Sequence, residues 1–131
     1  MNARRLIVPV LLLLFVASGA TAAFAQEWKK LGQKDVDFNV DHDRIIAREK
    51  GGIREIHMSV KNAPVKFTRV VINYRNGEKQ EVEFLENVQL GGDTRAITIE
   101  GTGRTIDSVD LWYETDSLGG KKAKVTVYGR A

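Results

Sequence analysis

After residue 25 the chain consists of short runs in which apolar and polar residues alternate, and this pattern constrains the fold more than any other feature. Ile56, Met58 and Val60 alternate with polar residues, and Val82 and Phe84 lie between glutamates. No helical periodicity extends over ten or more residues. A period of two places one row of side chains in a core and the other row in solvent, as in a β-strand. The sequence therefore predicts an all-β protein.

Turn signals separate these alternating runs. Asn76-Gly77 lies between the runs 65–75 and 78–85, and an Asn-Gly pair favours a type I′ hairpin turn. We therefore expect these two runs to pair as antiparallel strands. The apolar parity changes near Thr68-Arg69, which predicts either a β-bulge or burial of both faces at this point.

The spacing of the candidate strands predicts the architecture. With Gly-Gly pairs at 51, 91 and 119 as further turns, eight or nine short strands fit a single-domain antiparallel β-sandwich that is jelly-roll-like. The last run, Ala123 to Tyr128, is predicted to be a sheet edge, because the lysines beside it are typical of protected edges. The candidate strands are 28–34, 36–40, 44–48, 55–61, 65–75, 78–85, 94–100, 105–114 and 122–128.

The N-terminal residues have the pattern of a secretory signal peptide. Arg4 and Arg5 precede an apolar run from Leu6 to Ala17, and Ala23-Phe24-Ala25 has small residues at the cleavage positions. A retained membrane anchor is the alternative, since the apolar segment is close to the roughly 20 residues of a spanning helix. Small and polar residues before the cleavage site favour cleavage. The sequence predicts a signal peptide over residues 1–25 and a periplasmic or secreted domain over 26–131, with no membrane span after cleavage.

Composition narrows the classes of function. The chain has no cysteine, which excludes disulfides and lipid attachment at a cysteine, so a single core must hold the domain together. The full chain has 20 basic and 17 acidic residues, and loss of Arg4 and Arg5 with the signal brings these nearly into balance. Basic and acidic residues are also interleaved throughout. Nucleic acid is therefore not a predicted partner.

Three segments of the chain have a distinctive pattern: Trp28-x-x-Leu31-Gly32, Val36-Asp37-Phe38-x-x-Asp41-x-Asp43-x-Ile45 and Thr94-Arg95-x-Ile97-x-Ile99-x-Gly101-x-x-Arg104-x-Ile106. Together they resemble a family of small secreted bacterial proteins that is known only as a domain of unknown function. The resemblance covers nearly all of residues 26–131, and its most specific part runs from Gly91 to Tyr113. It implies an extracytoplasmic β-rich domain of a Gram-negative bacterium and brings no established activity.

A cluster of aspartates is the one candidate metal site in the sequence. Asp37, Asp41 and Asp43 lie close together along the chain, and Ca²⁺ binds several carboxylate or carbonyl oxygens at about 2.5 Å. The spacing is not that of an EF-hand loop. A solvated hairpin turn over Val40–Arg44 is the favoured interpretation, because aspartate stabilises turns through its own backbone.

Arg95 and Arg104 each lead into an apolar row of a predicted strand. A guanidinium group in such a place needs a carboxylate partner or an exposed position, because burial of a lone charge is costly. The functional hypothesis is a two-arginine clamp for a carboxylate or phosphate ligand. The structural alternative, which is favoured, pairs the arginines with Asp37, Asp41 or Asp43 across the sandwich.

Trp112 falls on the polar face of its predicted strand, opposite the inward row. An exposed indole there predicts a contact surface for a sugar or a protein partner. The alternative, which is favoured, is that the N-terminal segment around Trp28 and Leu31 covers Trp112. The two histidines, His42 and His57, are too few for a zinc site without carboxylate ligands, and both are interpreted as surface residues.

No catalytic residue is predicted, since none of the serines lies in a Gly-x-Ser-x-Gly motif. The sequence predicts a non-enzymatic binding or interaction module of the cell envelope, with an envelope protein or a glycan as partner and no required cofactor. One alternative is a calcium-stabilised carbohydrate-binding module that uses the aspartate cluster and Trp112. The other is a small hydrolase whose site the sequence does not display.

Overall fold

The computed structural model describes residues 27–36, 41–48, 51–101, 104–115 and 121–131, and it forms eight strands over these ranges. The predicted signal peptide and the Gly-Gly pair at 119 lie outside the described residues. Within the described ranges, no helix is long and apolar enough to span a membrane. The strands are β1 (Lys29–Val36), β2 (His42–Ile46), β3 (Glu55–Lys61), β4 (Val65–Tyr74), β5 (Lys79–Val88), β6 (Ile97–Thr98), β7 (Ile106–Thr115) and β8 (Ala123–Arg130).

Two four-stranded sheets pack face to face. Sheet I has the strand order β1-β8-β3-β6, and sheet II has the order β2-β7-β4-β5. Every pairing between neighbouring strands is antiparallel. This strand order is that of a jelly roll, in which two interlocked Greek keys form the sandwich. The prediction of an all-β, jelly-roll-like sandwich is confirmed.

The core lies between the sheets and is built from the inward rows that the alternation predicts. Ile56, Met58 and Val60 of β3 are fully buried, whereas the residues between them face outward. Phe67 of β4 and Phe84 of β5 meet edge to face, with ring centroids 6.1 Å apart. Because each strand gives one row to the core, its other row forms an outer face, and any binding surface of a sheet is made from that second row.

Strand β4 contains the predicted irregularity. Its register shifts between Phe67 and Arg69 against both neighbouring strands, so the parity change reflects a β-bulge. Antiparallel pairing of β4 with β5 is also confirmed. The turn type is different, however. Gly77 donates its N–H to the carbonyl of Tyr74 at 3.0 Å, so Arg75 and Asn76 are the central residues, and neither has a positive φ, whereas Gly77 after them does (93°). A type I turn followed by a left-handed glycine replaces the expected type I′ turn.

The strand boundaries near the N-terminus differ from the prediction. β1 continues to Val36, and residues 37–40 lie outside the described part of the chain. β2 begins at His42, so Asp43 and Arg44 are strand residues paired with β7 and do not form a solvated turn. The turn preference of aspartate is a local tendency, and here pairing with a long neighbouring strand outweighs it. β6 is also shorter than expected, with two residues.

Strand β8 is not an edge of its sheet. It lies between β1 and β3, with Val125 in register with Lys34 on one side and with Val60 on the other. The predicted C-terminal edge is therefore wrong. Neighbouring lysines indicate exposure at strand ends but carry no information on which strands lie beside β8. The edges are β1 and β6 in sheet I, and β2 and β5 in sheet II.

Candidate functional site

Trp112 lies on the outer face of sheet II, as its parity predicted, in a row with two flanking side chains. His42 of β2 and Arg69 of β4 are in register with it from opposite sides. The His42 ring stacks on the indole with centroids 4.4 Å apart and an 18° interplanar angle, and the Arg69 guanidinium lies 4.4 Å from the indole centroid. Both faces of the indole are therefore occupied, which leaves its edge for contact with a partner.

The N-terminal segment does not cover Trp112. Trp28 and Leu31 belong to the sheet I side, where Trp28 meets His57 with ring centroids 4.3 Å apart. The favoured structural alternative for Trp112 is therefore wrong, because sheet I stands between that segment and the outer face of sheet II. Arg69 and His42 cover the indole instead.

Beside this stack, a nearly buried carboxylate organises the outer face of sheet II. Asp110 is 4% exposed although it points away from the core. Arg44 donates Nε and Nη2 to it at 2.9 and 3.1 Å, Asn73 donates at 2.7 Å, and His42 Nε2 lies 3.1 Å from it. The Arg44 side chain remains 56% exposed. The network therefore holds Arg44 in place while its charge stays accessible.

Electrostatics keep this carboxylate ionised. Burial raises the pKa of Asp110, but the hydrogen bonds from Arg44, Asn73 and His42 and the charge of Arg44 outweigh burial and hold that pKa below its usual value. The hydrogen bond to Asp110 likewise raises the pKa of Arg44. The pair is therefore charged at neutral pH.

The aspartates of the predicted metal cluster do not act together in the described structure. Asp43 binds Lys34 Nζ at 3.0 Å and accepts a hydrogen bond from the Tyr113 hydroxyl at 2.6 Å. The Asp41 carbonyl accepts the Tyr113 N–H at 3.0 Å, and Asp37 lies outside the described residues. Among the residues that are described, no group of three or more histidine, cysteine or acidic side chains could hold a metal ion.

We expect the melting temperature of the protein to be the same in EDTA and in millimolar calcium. Lys34 and Tyr113 already satisfy the Asp43 carboxylate, and a cation would have to displace both of them. Differential scanning fluorimetry with magnesium as the control measures the effect. A rise in melting temperature that is specific to calcium would contradict this expectation and indicate a calcium site.

Arg95 and Arg104 are paired with glutamates, not with the predicted aspartates. Arg95 Nε lies 3.7 Å from Glu86, and Arg104 forms an ion pair with Glu78. Each guanidinium also covers an aromatic ring, that of Phe84 at 4.6 Å and that of Tyr74 at 3.8 Å. Because Glu78 lies just before β5 and Glu86 lies near its C-terminal end, the two arginines are far apart and do not converge on one ligand.

A pocket that the sequence did not reveal lies on the outer face of sheet I. It has a volume of about 300 Å³. The pocket is open to solvent. The segment that contains Gly91 and Asp93 bonds to the free side of β3 and so lies beside Ser59 and Val60 in its lining. We call it the aromatic pocket, and it is lined by Trp28, His57, Ser59, Val60, Lys61, Gly91, Asp93 and Tyr128.

Three aromatic side chains build one wall of the aromatic pocket. His57 and Tyr128 are in register on β3 and β8, and their rings stack at 5.3 Å with a 19° interplanar angle. Trp28 meets His57 at 87°, and the Arg130 guanidinium lies 4.3 Å from the Trp28 ring. Arg130 is in turn bonded to Glu55 at 2.8 Å. These contacts hold the wall in place without a ligand.

The aromatic pocket contains polar groups that have no protein partner within the described residues. His57 Nδ1 is buried without a hydrogen bond. The half-buried side chains of Ser59 and Tyr128 and the exposed side chain of Asp93 make no hydrogen bond or ion pair within these residues, so they stay available to solvent or a ligand. Buried polar atoms in folded proteins are nearly always satisfied, so an unpartnered one in a pocket is a position for a ligand or a water.

Parts of this pocket carried a signal in the sequence. The outward parity of His57 was apparent, and Tyr128 lies on the outward row of β8. Nothing local indicates that Trp28 and Asp93 join them, since these four residues come from separate segments of the chain.

The structure defines a class of protein: a small jelly-roll β-sandwich with an open pocket on one outer face and a hydrogen-bonded polar network on the other. The chain belongs to the family described as a domain of unknown function (DUF2541), whose model matches residues 7–129. The resemblance noted from the sequence is thereby confirmed. A search of curated proteins found no match.

Among solved structures, Pseudomonas aeruginosa AlgX aligns with 79% of this chain at 14% identity and a TM-score of 0.49. The chain spans 27% of the length of AlgX. A variant of the family 29 carbohydrate-binding module CBM29-2 aligns with 82% of this chain and 80% of its own, at 13% identity and a TM-score of 0.32. At these identities and scores, neither likeness assigns an activity to this chain.

Proposed function

We propose that this protein is a non-enzymatic binding module of the bacterial cell envelope that holds a saccharide ring in the aromatic pocket. The observation that carries the proposal is that packed aromatic side chains and unpartnered polar groups line the same cavity. Ligand pockets typically combine an apolar wall with a few polar groups that fix orientation. A sugar ring has both complementary parts, since its C–H face suits an aromatic wall and its hydroxyls suit mixed donors and acceptors.

The polar groups of the pocket match hydroxyl ligands in particular. The Asp93 carboxylate accepts hydrogen bonds, while the Ser59 and Tyr128 hydroxyls both donate and accept. A volume of about 300 Å³ is at the small end of the range for ligand pockets, which favours one or two sugar residues. The wall is held by its own contacts, so binding requires little ordering of side chains.

Two features support binding rather than hydrolysis. Asp93 is the one carboxylate among the described residues that line the aromatic pocket, whereas glycoside hydrolysis uses two carboxyl groups on either side of the bond that breaks. On sheet II, His42 and Asp110 are adjacent, but the hydroxyl of Ser108 accepts a hydrogen bond from Asn73 and is not paired with His42.

The cell-envelope location rests on the N-terminal sequence. A basic start, an apolar run and an Ala-x-Ala site are the three parts of a secretory signal, and removal after Ala25 leaves the described domain outside the cytoplasm. Envelope compartments are rich in glycans, which agrees with a saccharide ligand.

The two tryptophans provide a matched test of this proposal. Trp28→Ala removes part of the pocket wall, whereas Trp112→Ala removes a similarly half-buried indole on the opposite outer face. For a saccharide that binds the wild-type protein, we expect Trp28→Ala to weaken binding at least about tenfold and Trp112→Ala to leave it unchanged. Isothermal titration calorimetry with a panel of neutral oligosaccharides measures both.

Fluorescence supplies an independent readout, because the chain has only two tryptophans. In Trp112→Phe the remaining indole belongs to the aromatic pocket, so a bound sugar should change its emission. In Trp28→Phe the remaining indole lies on sheet II, and its emission should stay constant. Equal losses of affinity in the two alanine variants, or no binding of any sugar in the panel, would contradict the proposal.

A further inference from the structure

A second cavity lies on the rim of the sandwich, where the edge strands of the two sheets meet. β1 and β2 approach so closely that the Arg48 N–H donates to the carbonyl of Leu31 at 2.9 Å. The groove beside this contact has a volume of about 540 Å³. We call it the rim groove, and it is lined by Lys30, Leu31, Gly32, Gln33, Lys34, Arg44, Ile45, Ile46 and Arg48.

The rim groove is strongly basic. Four of its described lining residues are cationic and none is acidic: Lys30, Lys34, Arg44 and Arg48. Lys34 and Arg44 are paired with Asp43 and Asp110, which hold them in position from outside the groove. Lys30 and Arg48 are exposed and have no ion pair within the described residues. The groove therefore has an excess of positive charge, although basic and acidic residues are nearly balanced in the predicted mature domain.

Arg44 is the best positioned of these cations. Its Nε and Nη2 bond to Asp110, so Nη1 is not used by that carboxylate. An arginine whose rotamer is already fixed loses little conformational freedom when it binds an anion. The nearly buried Asp110 thus orients a charge towards a surface where sequence reasoning placed no site.

The same groove has an exposed apolar strip. Ile46 is 53% exposed and borders the groove beside the buried side chains of Ile45 and Leu31. A ligand that matches both features carries separated negative groups on a backbone with apolar faces. The sugar rings of an acidic polysaccharide have such faces, with carboxylates spaced along the chain.

The rim groove and the aromatic pocket are neighbours on the molecule. Lys30 of the groove is in register with Tyr128 of the pocket, and Tyr128 is in register with His57. One extended ligand can therefore cross from β3 to the rim over the width of three adjacent strands. A free anion is too small to contact both surfaces.

We infer that the rim groove binds the anionic groups of an acidic polysaccharide, one sugar of which occupies the aromatic pocket. The choice of a saccharide rests on the proposed function above, whereas the anionic character rests on the groove itself. The groove favours acidic over neutral saccharides, because only an acidic chain gains charge attraction from Lys30, Arg44 and Arg48.

The test compares oligogalacturonates with the same oligosaccharides after their carboxylates have been reduced to alcohols. We expect Lys30→Gln/Arg48→Gln to weaken binding of the acidic form at least tenfold and to reduce its dependence on salt, while binding of the reduced form stays unchanged. Lys66→Gln/Lys79→Gln is the matched control, because it removes two exposed lysines from sheet II and changes the net charge equally. Calorimetry at low and high salt measures the affinities.

The outcomes separate the two proposals. If Trp28→Ala abolishes binding of both forms and the groove variant binds them as the wild type does, the groove inference fails and the saccharide pocket stands. If the groove variant loses the acidic form and Trp28→Ala does not, the pocket fails and the anionic site stands. An equal loss in the control variant, or equally tight binding of poly-glutamate at the groove, would overturn the inference.

Discussion

Replacing Gly32 by alanine is expected to lower the free energy of unfolding by about 3 kcal/mol, because the added methyl group has no space. A Cβ atom at this position would overlap the carbonyl oxygen of Ile46 and lie 2.9 Å from Cγ2 of Ile45. The first of these is a backbone atom that cannot move aside by changing rotamer. The overlap can be relieved only if β1 and β2 move apart, which also breaks the backbone hydrogen bond between Arg48 and Leu31. Urea denaturation of both proteins measures the difference.

Gln33→Ala is the matched control for this substitution. Gln33 is the next residue of β1 and is exposed, so its truncation should change the free energy of unfolding by no more than about 0.5 kcal/mol. A Gly32→Ala variant as stable as the wild type would show that the contact between the two edge strands is not tight, and that the rim groove is not fixed by it.

Replacing Asp110 by asparagine should cost about 2 kcal/mol of stability at neutral pH. Loss of one partner from a buried ion pair costs about 3–5 kcal/mol, and here the penalty is smaller because Arg44, 56% exposed, is solvated when it is released. The substitution also leaves His42 and Asn73 with a poorer hydrogen-bond acceptor. Asp107→Asn, on the same strand but exposed, should change stability by less than about 0.5 kcal/mol.

The contribution of Asp110 has a definite pH dependence. Its pKa is lower in the folded protein than in the unfolded chain, so its stabilising effect is complete at neutral pH. The effect begins to fall near the pKa of an unfolded aspartate, about 3.9, and is lost once the pH is below the lower pKa of the folded state. The difference in stability between the wild type and Asp110→Asn should therefore shrink as the pH falls below about 4. A difference that stays constant across this range would contradict the assigned network.

Much of the fold followed from local sequence patterns. The alternation in 55–61 and 65–75 placed those strands and their inward rows correctly, and the parity change at Thr68-Arg69 predicted the observed bulge as one of two explanations. The turn at Asn76-Gly77 was located correctly but has another geometry, since Gly77 has a positive φ and Asn76 does not. These features depend on residues that are near one another in the chain, and for that reason they can be predicted from the sequence.

Partners across the sandwich did not follow from the sequence. Arg95 and Arg104 needed carboxylates, as desolvation requires, yet their partners are Glu86 and Glu78. Asp43 lies in a strand beside Lys34 and not in a turn. An ion pair depends on which strands are adjacent and in which register, and the pattern within one strand has no information about either.

The sequence by itself determined the class of fold and the outward parity of Trp112 and His57, and it contains the signal that predicts an envelope location. Each of these depends only on the order of residues that are close together in the chain. Only the tertiary structure decided the order of the strands, the packing of Trp112 between His42 and Arg69, and the positions of the two cavities. The aromatic pocket joins β3, β8, residue 28 and the segment at 91–93, and the rim groove joins the edges of two different sheets. Such surfaces arise when hydrophobic burial brings distant strands together, so the side chains that form them become neighbours only in the folded molecule.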